Sequence, residues 1–120
     1  MNKKTWKIFI DKLPPSKNLL YYGSSYKNAY RDYILKNNEN ARNFASYVAS
    51  LNGYGEFDVR VVFFIPENRY KKFEPQNYIE VLFDVIFGEE RDNRVKSFCV
   101  AKHPIGKNEK PHLIIFISAL

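Results

Sequence analysis

The sequence holds one cysteine, Cys99, so no disulfide can form within the chain. A single cysteine is typical of proteins in a reducing compartment. No apolar run approaches the roughly 20 residues that cross a bilayer. The N-terminal stretch before Lys12 has lysines and only a short apolar run, unlike a signal peptide. These absences predict a cytoplasmic protein without a membrane partner. Cys99 itself lies in an apolar strand pattern and is predicted to be a small core residue.

Acidic residues are also in short supply. Lys and Arg number 19 against 13 Asp and Glu, giving a net charge of +6. A basic small domain favours a polyanionic partner, above all nucleic acid, although the same charge can serve solubility alone. The 120 residues are 45% apolar and 27% charged, a composition typical of one globular domain. Aromatic residues reach 17%, so some of them are available to stack on bases or to form an interface.

Several common catalytic motifs are absent. The sequence has no phosphate-binding Gly-rich loop of the Walker type, no nucleophile elbow and no HExxH pattern. His103 and His112 flank one loop, without Cys or acidic residues at zinc-site spacing. Both histidines are predicted to be surface or strand-end residues.

Alternation and helical spacing predict elements in the order β-α-α-β-α-β-β. The predicted strands are Thr5–Asp11, Glu56–Ile65, Arg94–Lys102 and His112–Ala119, and the predicted helices are Tyr26–Lys36, Ala41–Leu51 and Pro75–Phe87. The second strand is apolar on both faces in its second half and is predicted to be central. The third helix predicts a crossover between parallel strands, and the last two strands are predicted to pair as a hairpin. The fold class is therefore α/β of the α+β type, a single domain over residues 1–120 with a mixed four-stranded sheet flanked by helices.

The first predicted helix has two interpretations. One side of the helix holds Tyr26, Tyr30, Tyr33 and Ile34, and an adjacent stripe holds Lys27 and Arg31. Such a pattern is typical of an amphipathic helix with an aromatic core face. It is also typical of a basic, aromatic surface that follows a nucleic-acid backbone.

The stretch from 66 to 96 concentrates charge of both signs. Its basic loop contains Arg69, Lys71 and Lys72, and its acidic side chains include Glu74, Glu80, Asp84 and Asp92. Hydrolysis of a phosphodiester with Mg²⁺ needs converging oxygen ligands and basic groups that hold the phosphate. If the third strand lies beside the second, Glu74 and Asp92 are expected at related corners of the fold. A solvated helix face followed by an acidic turn would have the same residues.

Three sequence patterns give the chain a family resemblance. Pro14-Pro15-Ser16-Lys17-Asn18 matches a Pro-Pro-Ser-x-Asn turn after the first strand. The stretch from Glu74 to Asp84 aligns with the pattern D-x-D-N-x-x-K-x-x-x-D, matching at Asn77 and Asp84. A later D-D-x-x-V/I pattern is matched at Asp92 and Val95, with Lys102 beyond. In these motifs and in element order, the chain resembles the RusA family of Holliday-junction resolvases of phages and prophages.

The chain departs from the family pattern at four positions. Glu74 and Gln76 replace its first two aspartates, Glu80 replaces its lysine, and Arg91 replaces the first residue of the Asp pair. Of the three metal-binding carboxylates, only Asp92 is unchanged. An amide at position 76 removes negative charge where Mg²⁺ must be attracted, and Glu80 can restore it from one helical turn further on.

The resemblance implies a homodimer that binds a four-way DNA junction and nicks it symmetrically with Mg²⁺ or Mn²⁺, in recombination and repair within a bacterial host. Its implied catalytic residues are Glu74, Asp92, Gln76 and Glu80, with the metal on Glu74, Gln76 and Asp92. Implied DNA contacts are Lys17, Arg69, Lys71, Lys72 and Lys102. Asn77 and Asp84 would orient the ligands. Two alternatives remain open: a RusA-like DNA-binding protein without catalysis, and a protein-interaction module.

Overall fold

The computed structural model describes residues 4–17, 25–52, 55–88 and 94–120. The strands are β1 (Thr5–Ile10), β2 (Phe57–Pro66), β3 (Val95–Ile105) and β4 (His112–Ala119). The helices are α1 (Ser25–Asn37), α2 (Glu39–Ser50), α3 (Glu67–Tyr70) and α4 (Gln76–Phe87). The predicted fold class, a mixed four-stranded sheet flanked by helices, is confirmed. Within the described ranges, no helix has the length and apolar character needed to cross a membrane.

The sheet has the strand order β1-β4-β2-β3. β2 and β3 are parallel, as the crossover through α4 predicts, whereas β4 is antiparallel to both β1 and β2. The predicted hairpin between β3 and β4 is wrong, because β2 lies between them. Leu113, Ile115 and Ile117 of β4 are at most 1% exposed, which suits a strand with neighbours on both sides. β3 is largely exposed and forms the edge of the sheet.

One face of the sheet carries the core. Phe57, at the start of β2, is fully buried, and its ring centroid lies 5.3 Å from that of Phe44 in α2 and 5.6 Å from that of Phe87 in α4. Trp6 of β1 packs edge-on against Phe44 at 4.9 Å. Aromatic rings therefore join β1, β2, α2 and α4 at one end of the sheet. The pairs that Phe44 forms with Trp6 and Phe57 have the edge-to-face geometry that such rings prefer, and the pair of Phe57 with Phe87 is tilted by 44°.

The prediction that Cys99 is a core residue is wrong, since its side chain is exposed. Cys99 pairs with Arg60 of β2 and so lies on the sheet face opposite Val59 and Val61. Alternation along β3 assigns residues to two faces, but it does not tell which face the helices cover.

The predicted loop after β2 contains the short helix α3, and β3 runs three residues past the predicted end at Lys102. A helix of four residues is too short to show an apolar period, so its sequence looked like a loop. In α1, Tyr30 and Ile34 are buried as the amphipathic interpretation predicts, while Tyr26 is 50% exposed.

Asn38 connects the helices to the edge of the sheet with both ends of its amide. Its Oδ1 accepts the Ala41 N–H at 2.9 Å and so caps α2, because the first N–H groups of a helix lack partners within it. Its Nδ2 donates to the Phe9 carbonyl at 2.5 Å. Asn40 Nδ2 likewise donates to the Lys7 carbonyl at 3.0 Å. Two carbonyls of β1 thus have amide donors from the α1–α2 region.

Tyrosine hydroxyls attach α1 to the end of β1. The Tyr30 hydroxyl donates to the Lys12 carbonyl at 2.7 Å, and the Tyr33 hydroxyl donates to Asp11 Oδ1 at 2.6 Å. Burial raises the pKa of Tyr30 well above the usual value for tyrosine, and the neighbouring Asp11 and Tyr33 add to the increase. The hydrogen bond to Asp11 is the main cause that raises the pKa of Tyr33. Both hydroxyls are therefore held protonated in the folded state.

We expect the Tyr30→Phe variant to lose stability less steeply than the wild type at alkaline pH. An unfolded tyrosine ionises near about pH 10, while folded Tyr30 keeps its proton. Above that pH the folded state binds more protons than the unfolded state. The contribution of Tyr30 to the free energy of unfolding is therefore complete below the pKa of unfolded tyrosine and declines as the pH rises above it. At pH 7 the variant should lose about 1 kcal/mol with its hydrogen bond. Urea unfolding from pH 7 to 11, with Tyr26→Phe as control, measures both effects; equal slopes for Tyr30→Phe and wild type contradict the assignment.

Candidate functional site

A basic groove lies where the turn after β1 meets the segment after β2. This cavity, of about 380 Å³, is lined by Leu13, Ile65, Asn68, Arg69, Lys72, Phe73 and Tyr78. We call it the basic groove. Leu13 directly precedes the Pro-Pro turn, and Pro14 is buried. The fold therefore brings Leu13, next to the Pro-Pro motif, and Tyr78, within the motif from Glu74 to Asp84, to one groove, although they are far apart along the chain.

Stacked aromatic rings form the floor of the basic groove. Phe73 is buried and stacks on Tyr78 of α4, with ring centroids 4.8 Å apart and planes 16° apart. Phe73 also contacts Phe63 of β2 at 5.2 Å. These contacts fix the start of α4 against the sheet, and with it the carboxylate that precedes the helix.

Lys102 fixes the loop that carries the basic residues. Its Nζ donates to the Tyr70 carbonyl at 2.6 Å and to the Phe73 carbonyl at 3.0 Å, and it lies 4.4 Å from the centroid of the Tyr70 ring. The Tyr70 hydroxyl donates back to the Lys102 carbonyl at 3.3 Å. The structure thus uses this lysine, predicted as a DNA contact, to hold the α3 segment against β3.

The start of α4 presents two polar side chains beside the basic groove. Glu74 is exposed, and its Oε2 accepts a hydrogen bond from Asn77 Nδ2 at 3.2 Å. The Asn77 N–H also donates to the Glu74 carbonyl at 3.1 Å. Asn77 is therefore placed to orient the Glu74 carboxylate. Gln76, the first residue of α4, is exposed next to them.

The other predicted acidic residues of α4 lie further along the helix than Glu74 and Gln76. Glu80 is exposed one turn further along the helix. Asp84 is half-buried, and its Oδ2 lies 3.9 Å from Lys27 Nζ in α1. Asp84 therefore faces α1, not the basic groove.

The predicted ligand Asp92 lies outside the described residues. Arg94, the first described residue after it, accepts the Phe57 N–H through its carbonyl at 2.7 Å. Phe57 contacts Phe87 in the last turn of α4, whereas Glu74 precedes the first turn. A helix of this length spans about 18 Å. The chain thus enters β3 at the opposite end of α4 from Glu74. Across the described ranges, no three Asp, Glu, His or Cys side chains are grouped so that they could hold a metal ion.

The predicted DNA contacts divide into three positions. Arg69 and Lys72 line the basic groove, and Lys71, which lies between them along the chain, is exposed. Lys17 is exposed just after the Pro-Pro turn. Sequence reasoning missed Asn68 and Tyr78 as groove residues. Tyr78 directly follows Asn77, a residue of the predicted motif. This position was the one feature of the sequence that could have indicated Tyr78 as a groove residue.

Comparisons with known proteins add no name to this geometry. No protein-family model matches the chain, and no curated protein sequence matches it significantly.

Proposed function

We propose that the protein binds branched DNA, such as a four-way junction, with the basic groove as the surface that holds the DNA backbone. The observation that carries this proposal is that Arg69 and Lys72 line one groove with Leu13, which directly precedes the Pro-Pro turn. Each of these segments adjoins a motif by which the chain resembles RusA resolvases: Leu13 precedes Pro14, and Lys72 lies two residues before Glu74. The net charge of +6 favours a polyanionic partner as well.

The side chains of the basic groove suit phosphate oxygens. Arg69 offers a planar fork of donors, which can bind a phosphate with two hydrogen bonds, and Lys72 offers a compact positive charge. Lys71, exposed beside them, adds to the local positive potential. Contacts of this kind position a duplex without reading its sequence. Selectivity for a junction then comes from the geometry of two duplex arms, which the homodimer implied by the resemblance would engage symmetrically.

We expect Arg69→Gln and Lys72→Gln to weaken binding of a synthetic four-way junction and to reduce its salt dependence. Each neutralised phosphate contributes about 0.9 to the slope of log affinity against log salt concentration, so the double variant should lose about 2. Gel-shift or anisotropy titrations in EDTA at several salt concentrations measure the slope. Lys36→Gln removes an exposed charge from α1 and serves as the matched control. A double variant with the wild-type slope would exclude the basic groove as the DNA surface.

Metal-dependent cleavage is the second candidate function. The exposed Glu74 carboxylate, oriented by Asn77 and adjacent to the basic groove, favours it. Glu74 and Gln76 are the described residues that could contribute oxygen ligands there. In an enzyme of this type, bound Mg²⁺ activates water and stabilises charge on the phosphate.

The same junction, incubated with Mg²⁺ or Mn²⁺, tests this second function. Cleavage that Glu74→Gln and Asp92→Asn both abolish, with binding in EDTA retained, would assign a resolvase. Binding without cleavage by the wild type would leave a RusA-like DNA-binding protein. No shift on any DNA at low salt would leave the protein-interaction module.

A further inference from the structure

A row of aromatic rings crosses the sheet face that the described helices leave bare. It runs from Phe9 on β1 through His112 on β4 and Phe64 on β2 to His103 on β3. Successive ring centroids are 5.2, 4.7 and 5.9 Å apart, and the central pair stacks with planes 11° apart. We call this side of the sheet the open face. Neither histidine has a role in the basic groove, so the row needs its own explanation.

Next to this row, two cations flank an exposed ring. Phe116 of β4 is 38% exposed, with Lys7 Nζ 5.8 Å and the Arg60 guanidinium carbon 6.0 Å from its centroid. Lys7 pairs with Phe116 across β1 and β4, and Arg60 pairs with it across β2 and β4. A shallow cavity of about 410 Å³ adjoins this ring and includes Asp58 and Ser97 in its lining. On the open face, the exposed Phe116 ring therefore has one cation on each side.

The open face differs from the basic groove in position and in chemistry. Ile65 and Phe73, which line the groove, belong to the core on the helix side of the sheet. Phe9, 50% exposed on the open face, lies on the other side. A ligand of the open face would thus meet rings and a few cations, whereas a ligand of the groove meets a concentrated basic loop.

We infer that the open face binds single-stranded nucleic acid, with bases against Phe9 and Phe116 and phosphates near Lys7 and Arg60. Unpaired bases stack on exposed aromatic side chains while cations follow the backbone. A duplex presents mainly phosphates at its surface, and its paired bases are not available to stack on aromatic side chains. A second copy of the chain would bring two molecules of charge +6 together, with Lys7 and Arg60 on both sides of the contact.

The test measures binding of a fluorescein-labelled oligo-dT of 20 nucleotides by anisotropy, in EDTA, for wild type and variants. Each of Phe9→Ala and Phe116→Ala should weaken binding about tenfold, because one base stack contributes about that factor. Tyr26→Ala is the matched control, since Tyr26 is an aromatic residue that is 50% exposed on α1, away from the open face. The double variant Lys7→Gln with Arg60→Gln keeps every aromatic ring in place. We expect it to reduce the slope of log affinity for oligo-dT against log salt concentration, which tests the proposal even if a Phe variant folds poorly.

Two results overturn the inference. Affinity for oligo-dT that is unchanged in the Phe and charge variants would remove the open face from nucleic-acid binding. A shift from dimer to monomer in Phe9→Ala or Phe116→Ala, measured by light scattering at the same concentrations, would assign the face to a second copy. Loss of oligo-dT binding with unchanged oligomeric state supports it. The experiment is independent of the proposed junction binding, because Arg69→Gln and Lys72→Gln should leave oligo-dT affinity unchanged.

Discussion

Replacing Phe57 by alanine should destabilise the protein by about 3–5 kcal/mol, the usual cost of removing a buried phenylalanine ring. Phe57 is fully buried, and its ring contacts Phe44, Phe87 and Trp6. The cavity would open where two helices and two strands meet, so the neighbours cannot easily close it. Single domains have only about 5–15 kcal/mol of stability, which makes this a large part of the total. The midpoint of thermal unfolding should be about 12–20 °C lower.

A matched control distinguishes the effect of removing a buried phenylalanine ring from the effect of removing an exposed one. Phe98→Ala removes the same side chain at a position that is 55% exposed on edge strand β3, and should cost less than about 1 kcal/mol. Urea unfolding of both variants gives the comparison. If Phe57→Ala unfolds at the urea concentration of the wild type, the packing described around this ring is wrong.

Replacing Lys102 by methionine should cost about 2–3 kcal/mol and weaken junction binding at the same time. The variant keeps an apolar stem of similar length. It loses two hydrogen bonds from a charged donor, to the carbonyls of Tyr70 and Phe73. The loop that carries Arg69 and Lys72 would then keep only the hydrogen bond from the Tyr70 hydroxyl to the carbonyl of residue 102 among these attachments to β3. Chemical unfolding measures the first effect, and the junction titration measures the second.

Lys96→Met provides the comparison for Lys102→Met, because Lys96 is exposed on the same strand. Both variants remove one positive charge, but the control leaves the α3 segment attached. A purely electrostatic role for Lys102 would make the two variants alike in stability. That outcome would contradict the function assigned here to the hydrogen bonds of Lys102.

The sequence predicted the bounds of the strands and helices better than it predicted which strands are adjacent in the sheet. Alternation placed β2 and β4 nearly to the residue, and the Pro75 helix predicted the parallel crossover correctly. The hairpin prediction failed because adjacency along the chain was taken for adjacency in the sheet. The burial of Ile115 on β4, with neighbours on both sides, depends on β1 folding back from the far end of the sequence. Cys99 was misplaced for a related reason, since a two-residue period does not identify the covered face.

Arg69, Lys72 and Glu74 could be predicted as candidate site residues from the sequence, because they lie within one short segment. The position of Lys102 was not accessible, since its partners lie across the β2–β3 pair. The contribution of Leu13 to the groove depends on long-range packing as well. The aromatic row through His103 and His112 likewise joins four strands, and no local pattern relates them.

The amides of Asn38 and Asn40 have a consequence for self-association. By donating to the carbonyls of Phe9 and Lys7, they occupy acceptors on β1 that an added strand would need. Strand addition is thereby directed to β3, at the opposite edge of the sheet. A fibril grows only when every molecule offers two pairing edges, whereas one edge permits a pair and no further growth. The two asparagines would therefore limit edge-to-edge assembly of this protein to dimers.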